Sequence, residues 1–535
     1  MLSWFQQAGR CLCAIALVLL SLWSTGCTQL FPVSQPSSLS GNSSILRFVP
    51  RLAVIATLFD LTDVSIWRPL ILGKGLSQTL GSLSTPLGID FSEDVRPWLG
   101  DQAAIAITDQ DLDKDNRNGY QTGYLLVAEV SDSERLRESL GLLWQRQSVA
   151  GTPLQFTQAN GVSIITGPVT SASHQLSTAM VGEHTLLVAN DLQVLRRSLQ
   201  VAQVPHLQLS SPDEPVPLWV ALRIPDVVHW LGLAVPDTQE FMGTHLWHLL
   251  TASAKFNSFG IAVNTQLQGL QVGQLENRPP VINSVDQTAT FQQYLPVSMA
   301  WAAMGHDLSP LWANFQTELQ HYQKLPTFLR QFHQWNRTDI AQELIGSISQ
   351  LLANDYGIGQ LEDGSWVMAV SSAKPRTLDQ LDALATEEGL TVSQFTLNGH
   401  TVTAWSRLKT RMRQDTLNRE TRVETEVLAL RAKLDDCDVF ATSLSGLTAV
   451  LEAPGQSLQS SQRFQRTVQV MDTPNQGYIY GTWNEMERLL ASNRWFSLVQ
   501  PIVQPWGQSI DAIAITSYGQ TINQSTGTVS VLLKK

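Results

Sequence analysis

The chain has 535 residues with a formal net charge of −11, and 43% of its residues are apolar. This acidic balance excludes general nucleic-acid binding, because such binding needs many Lys and Arg side chains to neutralise phosphates. The length and the apolar content are sufficient for more than one hydrophobic core.

The N-terminus has the features of a lipoprotein signal peptide. Arg10 precedes an apolar run at residues 11–23, which at about 1.5 Å per helical residue is too short to span a hydrocarbon core of about 30 Å. The run ends in Ser-Thr-Gly-Cys, which is similar to a bacterial lipobox. We therefore predict a signal peptide at residues 1–26 and a lipid anchor on Cys27. An ordinary signal peptide and an uncleaved anchor are the alternatives.

Residues 27–45 form a predicted flexible tether. They are rich in Ser and Pro, carry no charged side chain and have no apolar periodicity that could bury a face. Beyond Cys27 the chain has one cysteine, Cys437, which begins an apolar run typical of a buried strand. Without a disulfide, the folded body depends on its core for stability.

Short strand-like and helical segments alternate through residues 46–278, the first predicted unit. Their spacing allows many hairpins, which predicts largely antiparallel sheets with packed helices, that is, the α+β class. The predicted strands are Val54–Leu58, Ala103–Thr108, Tyr124–Val130, Val162–Thr166, Thr185–Ala189, Leu218–Arg223 and Ser258–Val263. The predicted helices are Leu61–Leu83, Asp132–Gln147, Asp191–Val201 and Pro225–Thr251.

An acidic loop between two of these strands is the sharpest local motif. Its carboxylates recur at every second position, which suits hard cations that take about six to eight oxygen ligands. The match to an EF-type loop is partial, since Lys114 occupies the glycine position and Tyr120 the position of the closing Glu. We predict a weak structural calcium site, with a plain acidic hairpin loop as the alternative. The predicted ligands are Asp109, Asp111, Asp113, Asp115 and Asn118.

A second unit is predicted at residues 291–535, after a Pro-containing linker at residues 279–290. It repeats the order of features in the first unit: an alternating segment around Pro50 is echoed around Pro296, and an Asn-Gly turn follows at a matching place in both units. Self-similarity of this kind predicts two pseudo-repeated halves.

One segment of the second unit, residues 407–436, has no counterpart of equal length in the first. Its apolar residues at positions 423, 427, 430 and 434 fall on one helical stripe, so we predict a helical insertion. Two interpretations of its basic start are open: a docking site for an acidic partner or lipid headgroups, or a solvated helix that packs on its own domain. The basic residues are Arg407, Lys409, Arg411 and Arg413.

Three segments together carry a resemblance to a known family. Residues 96–101 read RPWLGD, the acidic loop is followed by GYLL, and residues 148–154 read SVAGTPL. In these segments the chain resembles domain-of-unknown-function family 3352, a cyanobacterial family of exported or membrane-anchored, internally repeated proteins. The resemblance implies a periplasmic or thylakoid-lumen location, and it implies no known activity or catalytic residue.

The sequence contains no HExxH motif, no GxSxG motif and no phosphate-binding glycine loop. We therefore predict a non-enzymatic envelope lipoprotein, held at the membrane by its lipid anchor, that binds another protein or acts in assembly. No cofactor is predicted apart from the weak calcium site. A carrier of an apolar ligand, such as a lipid or pigment between the two halves, is the first alternative. A hydrolase with an unrecognised site is the second.

Overall fold

The computed structural model describes residues 45–62, 91–230, 247–269, 291–306, 351–491 and 507–534, apart from residues 116, 118, 120, 150, 152, 169–174, 213, 352, 373–374, 416–417, 436 and 521–523. The predicted signal peptide, tether and linker, together with the helix predicted at Leu61–Leu83, lie outside these ranges except at Ile45, Leu61 and Thr62.

The first unit alternates strands and helices largely where the sequence pattern predicts them. The helix predicted at Pro225–Thr251 is wrong at its C-terminal end, because a strand begins at Trp247. The strands are β1 (Ile55–Asp60), β2 (Leu99–Asp109), β3 (Gly123–Val130), β4 (Gln155–Ala159), β5 (Val162–Pro168), β6 (Gln175–Val181), β7 (Thr185–Ala189), β8 (Leu218–Arg223), β9 (Trp247–Phe256) and β10 (Gly260–Gly269). The helices are α1 (Ser133–Val149), α2 (Leu192–Val201) and α3 (Ile224–Trp230).

The second unit has the same succession of strands, with one more α-helix in the part that the structure describes. Its strands are β11 (Met299–His306), β12 (Asp355–Leu361), β13 (Trp366–Ser371), β14 (Thr391–Leu397), β15 (His400–Asp415), β16 (Asn418–Leu434), β17 (Cys437–Ala441), β18 (Gly477–Thr482), β19 (Ile510–Gln520) and β20 (Gln524–Leu533). Its helices are α4 (Pro375–Glu387), α5 (Leu444–Leu451), α6 (Gln462–Val468) and α7 (Trp483–Ala491).

All these strands belong to one antiparallel sheet of 20 strands. The pairings run from one edge to the other in the order β4-β5-β6-β7-β3-β2-β1-β8-β9-β10-β20-β19-β18-β11-β12-β13-β17-β16-β15-β14. The prediction of a mixed α and β protein with largely antiparallel strands is confirmed.

The pairing order within β1–β10 is the same as the order within β11–β20, and the two units meet where their last strands, β10 and β20, pair. The prolines of the two alternating segments also occupy matching bridges. Pro50 pairs with Gln208 and Pro296 pairs with Ser457, in each case before the first strand of the unit.

Both faces of the sheet carry a hydrophobic core, because side chains alternate between the faces along each strand. On one face, Leu195 of α2 packs with Leu125 and Leu187, and Leu447 of α5 packs with Val439. Helices α1 and α4 pack on the other face, where Leu136 of α1 is a buried residue of the core. The side chains of Asp191 and Ser443 cap α2 and α5 by accepting backbone N–H groups at 2.6 and 2.9 Å, which satisfies donors that a helix N-terminus leaves free.

The prediction of a helical insertion at residues 407–436 is wrong, because this segment forms most of the long hairpin of β15 and β16. Its apolar residues do share a face, but it is the face of a strand. The register changes between Trp405 and Ser406, which oppose Ala429 and Val427, so Leu428 is an extra residue in β16. This bulge places positions 423 and 427 on the same face as 430 and 434 and thereby mimics a helical spacing.

Candidate functional site

In the part of the chain that the structure describes, the sheet ends in two edge strands. Strand β4 pairs only with β5, and β14 only with β15, among the described strands. Phe156 of β4 is 71% exposed and Phe395 of β14 is 39% exposed. Neither strand contains a charged residue or a proline, the usual means by which proteins protect an edge from pairing.

Each edge strand is the first strand of a tight hairpin. Both residues of each turn have a positive φ. In the first turn φ is 50° at Asn160 and 79° at Gly161, and in the second it is 52° at Asn398 and 83° at Gly399. Such turns match the twist of the strands that they connect, and they fix the register of the hairpin. Among the described strands, none pairs with the outer side of either edge hairpin.

The four basic residues predicted to bind a partner lie at alternate positions of β15. The register of β16 sets glutamates opposite three of them and an arginine opposite the fourth. The opposed pairs are Arg407 and Glu426, Lys409 and Glu424, Arg411 and Arg422, and Arg413 and Glu420.

The acidic loop joins β2 to β3, as predicted, and most of its carboxylate oxygens accept hydrogen bonds. Asp109 accepts from Arg197 of α2 at 3.2 Å, and Asp113 accepts from the Gln121 side chain at 2.7 Å. The Arg117 side chain and backbone N–H hold the pKa of Asp115 below its usual value. The predicted ligand Asn118 lies outside the described residues.

One oxygen of this loop differs from the rest. Asp111 is 8% exposed, its Oδ1 accepts from the Gln121 N–H at 3.1 Å, and its Oδ2 is buried without a hydrogen-bond partner. In the part of the chain that the structure describes, no group of three or more His, Cys, Asp or Glu residues is arranged to hold a metal ion. A cation would have to displace Arg197 or Arg117 to gain several carboxylates, so the calcium site stays a prediction of weak binding.

We expect calcium to bind this loop with a dissociation constant on the order of 1 mM, as in weak extracellular sites. At 10 mM it should then stabilise the folded protein by about 1.4 kcal/mol. Thermal melts at rising calcium concentration test this, beside an Asp111→Asn/Asp113→Asn variant that should not respond. Equal melting temperatures for both proteins at every concentration would leave only an acidic hairpin loop.

A histidine–aspartate pair at the ends of β11 and β12 was not found from the sequence. His306 Nδ1 lies 2.6 Å from Asp355 Oδ1, and the Ser371 hydroxyl donates to the backbone oxygen of Asp355 at 3.5 Å. The serine therefore lies beside the aspartate and not beside the histidine, unlike a nucleophile–base pair. These residues are distant in the sequence and meet only through the register of β11 and β12, so no local motif predicts the pair.

The junction between the two units is polar on the face that carries α2 and α5. Tyr518 donates to Thr528 at 2.9 Å, Thr528 donates to Asn264 at 2.7 Å, and the Asp472 N–H donates to the Tyr518 oxygen at 2.9 Å. Burial raises the pKa of Tyr518. This chain of hydrogen bonds ties β10 of the first unit to β20 and β19 of the second.

The described residues contain no helix that is both long and apolar enough to cross a membrane. His248, which the sequence places in a helical stretch, lies in β9, where burial and the nearby Arg223 lower its pKa. Cys437 is buried at the start of β17, as expected for a small apolar residue.

Together these features define a mixed α and β protein, built on one long antiparallel sheet whose two end strands each have a single partner among the strands that the structure describes. The family model described as "Protein of unknown function (DUF3352)" matches residues 12–534, and the chain belongs to this family. No curated protein matches it.

Among solved structures, crystal forms IV, III and I of TP0453 are similar to parts of the chain, with 10%, 11% and 10% sequence identity. The matches cover 42%, 43% and 44% of this chain and 79%, 81% and 82% of TP0453. Their TM-scores are 0.25, 0.26 and 0.24, too low to establish a common fold.

Proposed function

We propose that this protein is a non-enzymatic, lipid-anchored component of the cell envelope that binds another protein through the edges of its sheet. The observation that carries the proposal is the pair of exposed, uncharged edge strands, β4 and β14. An exposed edge binds an extended segment of a partner by continuing the backbone hydrogen bonding, while side-chain contacts supply specificity.

We further infer that the body arose by duplication. Support comes from the shared pairing order of β1–β10 and β11–β20 and from the matching bridges of Pro50 and Pro296. A duplicated body has two similar edges that face away from the junction. It is therefore suited to holding two partners, or two parts of one partner, at a membrane surface. In a cyanobacterium, that surface would face the periplasm or the thylakoid lumen.

The edges are tested by affinity capture from native membranes. A Phe156→Lys/Phe395→Lys variant should lose the proteins that the wild-type chain retains, because charge on an edge strand opposes strand addition. Val149→Lys in α1 is the matched control, since Val149 is 83% exposed but lies on a helix. Capture that is equal for the edge variant and the wild type would exclude binding through these edges.

Replacing Cys27 by serine should abolish membrane attachment. Several acyl chains, at about 0.8 kcal/mol per buried methylene, hold a lipoprotein firmly, so the native protein should resist extraction by salt. The Cys27→Ser variant should remain as a precursor and incorporate no labelled fatty acid. Cys437→Ser is the control and should be labelled like the wild type. Normal labelling of the Cys27→Ser variant would contradict a lipid anchor at this residue.

A hydrolase is the second candidate function, and the His306–Asp355 pair is the observation that favours it. A carboxylate that orients a histidine is a common arrangement for a general base. If the pair is catalytic, His306→Ala should abolish hydrolysis of ester or amide substrates that the wild-type protein cleaves. An apolar-ligand carrier is favoured less, because Asn264, Thr528 and Tyr518 make the junction polar.

A further inference from the structure

The first unit begins at a small exposed surface. Ile45 is its first described residue, and the short helix Leu46–Phe48 follows. The Arg51 N–H then donates to the Leu207 oxygen at 2.7 Å, which brings the start of the unit beside the segment after α2. The predicted tether joins the body here, so we name the exposed side chains at this place the tether-end surface: Arg47, Arg51, Leu52 and Leu207.

This surface combines apolar and basic side chains. Leu52 is 54% exposed and Leu207 is 42% exposed, and both arginines are exposed. The described residues provide no carboxylate partner for Arg47 or Arg51. Leucine side chains of this kind can enter the headgroup region of a bilayer, and arginines beside them can bind anionic headgroups.

The second unit has the same backbone arrangement without this combination of side chains. Its Val297 N–H donates to the Gln456 oxygen at 2.9 Å, and the two proline bridges match. The fold therefore requires neither the arginines nor the leucines, and they are confined to the unit that follows the predicted anchor. The residues equivalent to Arg47, Arg51, Leu52 and Leu207 are Gln293, Val297, Ser298 and Gln456.

The acidic loop lies at the same end of the sheet and limits the positive charge there. Gln110 of this loop donates to the backbone oxygen of Asp226, which pairs with Arg223 at 2.9 Å. Arg223 in turn donates to the Leu52 oxygen at 3.0 Å. The attraction of the tether-end surface for an anionic bilayer is therefore weak, and the surface needs a second attachment to stay on a membrane.

The predicted lipid anchor supplies that attachment. If residues 28–44 form a flexible tether, their end-to-end distance is about 25 Å, which keeps Ile45 close to the bilayer that holds Cys27. A weak surface is then sufficient, because the anchor gives it a high effective concentration at the membrane. The point where the tether joins the body also favours a lipid surface over a protein as the occupant.

We propose that the tether-end surface docks onto the bilayer that holds the lipid anchor. Leu52 and Leu207 enter the headgroup region, and Arg47 and Arg51 bind anionic lipid phosphates. This inference rests on the proposed function, and it names the face of the body that lies on the membrane. Each arginine near an anionic surface favours the docked state by a factor of about five.

The test reconstitutes the full lipidated chain in vesicles of phosphatidylcholine and phosphatidylglycerol whose acyl chains are brominated. A fluorophore is attached at Leu52→Cys, and the matched control carries it at Ser298→Cys, the equivalent position of the second unit. Cys437 is replaced by serine in both proteins. Bromine should quench the label at position 52 at least about twofold more than the label at position 298, because only the first enters the bilayer.

Charge reversal tests the role of the arginines. Arg47→Glu/Arg51→Glu should reduce the docked population at least about tenfold, while the anchor keeps the chain on the vesicles. High salt should reduce the quenching in the same way. Arg135→Glu/Arg137→Glu makes the same change of charge on α1 and should leave the quenching unchanged. Equal quenching at positions 52 and 298, or quenching that charge reversal does not change, would overturn the inference.

The outcomes separate this inference from the proposed function. If the chain is lipidated and stays on the vesicles while the label at position 52 is not quenched, the anchor stands and the inference is wrong. If the chain carries no lipid, the anchor fails; quenching at position 52 when that chain is added to vesicles would still support the surface, and its absence would overturn it. Shielding of this label from aqueous iodide by envelope proteins, without quenching by lipid, would assign the surface to a protein partner and overturn the inference.

Discussion

Replacing Gly260 by alanine is expected to destabilise the folded protein by about 3 kcal/mol. Gly260 begins β10, and a Cβ atom on it would lie 1.9 Å from the backbone oxygen of Val531 in β20. Because the clashing atom belongs to the backbone, no rotamer change relieves it. The strain falls on the β10–β20 pairing, which joins the two units.

Urea unfolding measures this effect, with Gly141→Ala as the matched control. A Cβ atom on Gly141, in helix α1, has no neighbour within 4 Å, and alanine favours a helix over glycine by about 1 kcal/mol. The control variant should therefore be at least as stable as the wild type. An unchanged midpoint for Gly260→Ala would show that the two units are not packed this closely.

Raising the pH from 10 to 12 should remove about 2 kcal/mol of stability through Tyr480. Burial raises the pKa of this tyrosine from 10.0 to about 12, with the nearby Arg463 opposing the shift and Asp511 adding to it. The unfolded chain loses the phenolic proton near pH 10, whereas the folded chain keeps it. The stabilisation is therefore complete below pH 10 and is lost as the pH rises through the folded pKa.

The measurement is the free energy of unfolding across this pH range, with ultraviolet titration of the tyrosines. Tyr480→Phe should reduce the alkaline loss of stability, although Tyr518, whose pKa burial also raises, will leave part of it. Tyr478→Phe is the control and should keep the loss due to Tyr480. If the Tyr480→Phe variant still lost as much stability at alkaline pH as the wild type, the titrating group would not be Tyr480.

The sequence predicts the strands and turns of this fold well because those signals are local. Short, nearly continuous apolar runs mark the buried strands β3 and β7, and the Asn-Gly pairs mark both edge hairpins. The β15–β16 hairpin is mispredicted because one bulged residue, Leu428, makes a strand face resemble a helical stripe. The spacing of the apolar residues alone cannot distinguish a bulged strand from a helix, whereas the alternating basic residues of β15 fit a strand.

The candidate sites follow from register and not from local sequence. His306 and Asp355 are 49 positions apart, and they meet because β11 and β12 pair in that alignment. The glutamates of β16 were visible in the sequence, but only the strand register sets them opposite the basic residues of β15. Likewise, the open state of β4 and β14 depends on the order of strands in the whole sheet, which nearby residues do not determine.

The β10–β20 pairing also constrains the order in which the chain can fold. Asn264 and Thr528 are 264 positions apart, so β10 has no partner on that side until almost the whole chain has been made. At about 5–20 residues per second, synthesis of the intervening segment takes on the order of tens of seconds. Throughout that time the first unit presents an unpaired strand, which is a hazard for aggregation. A nascent chain of this protein therefore needs protection by a chaperone, or rapid export, before its last strand arrives.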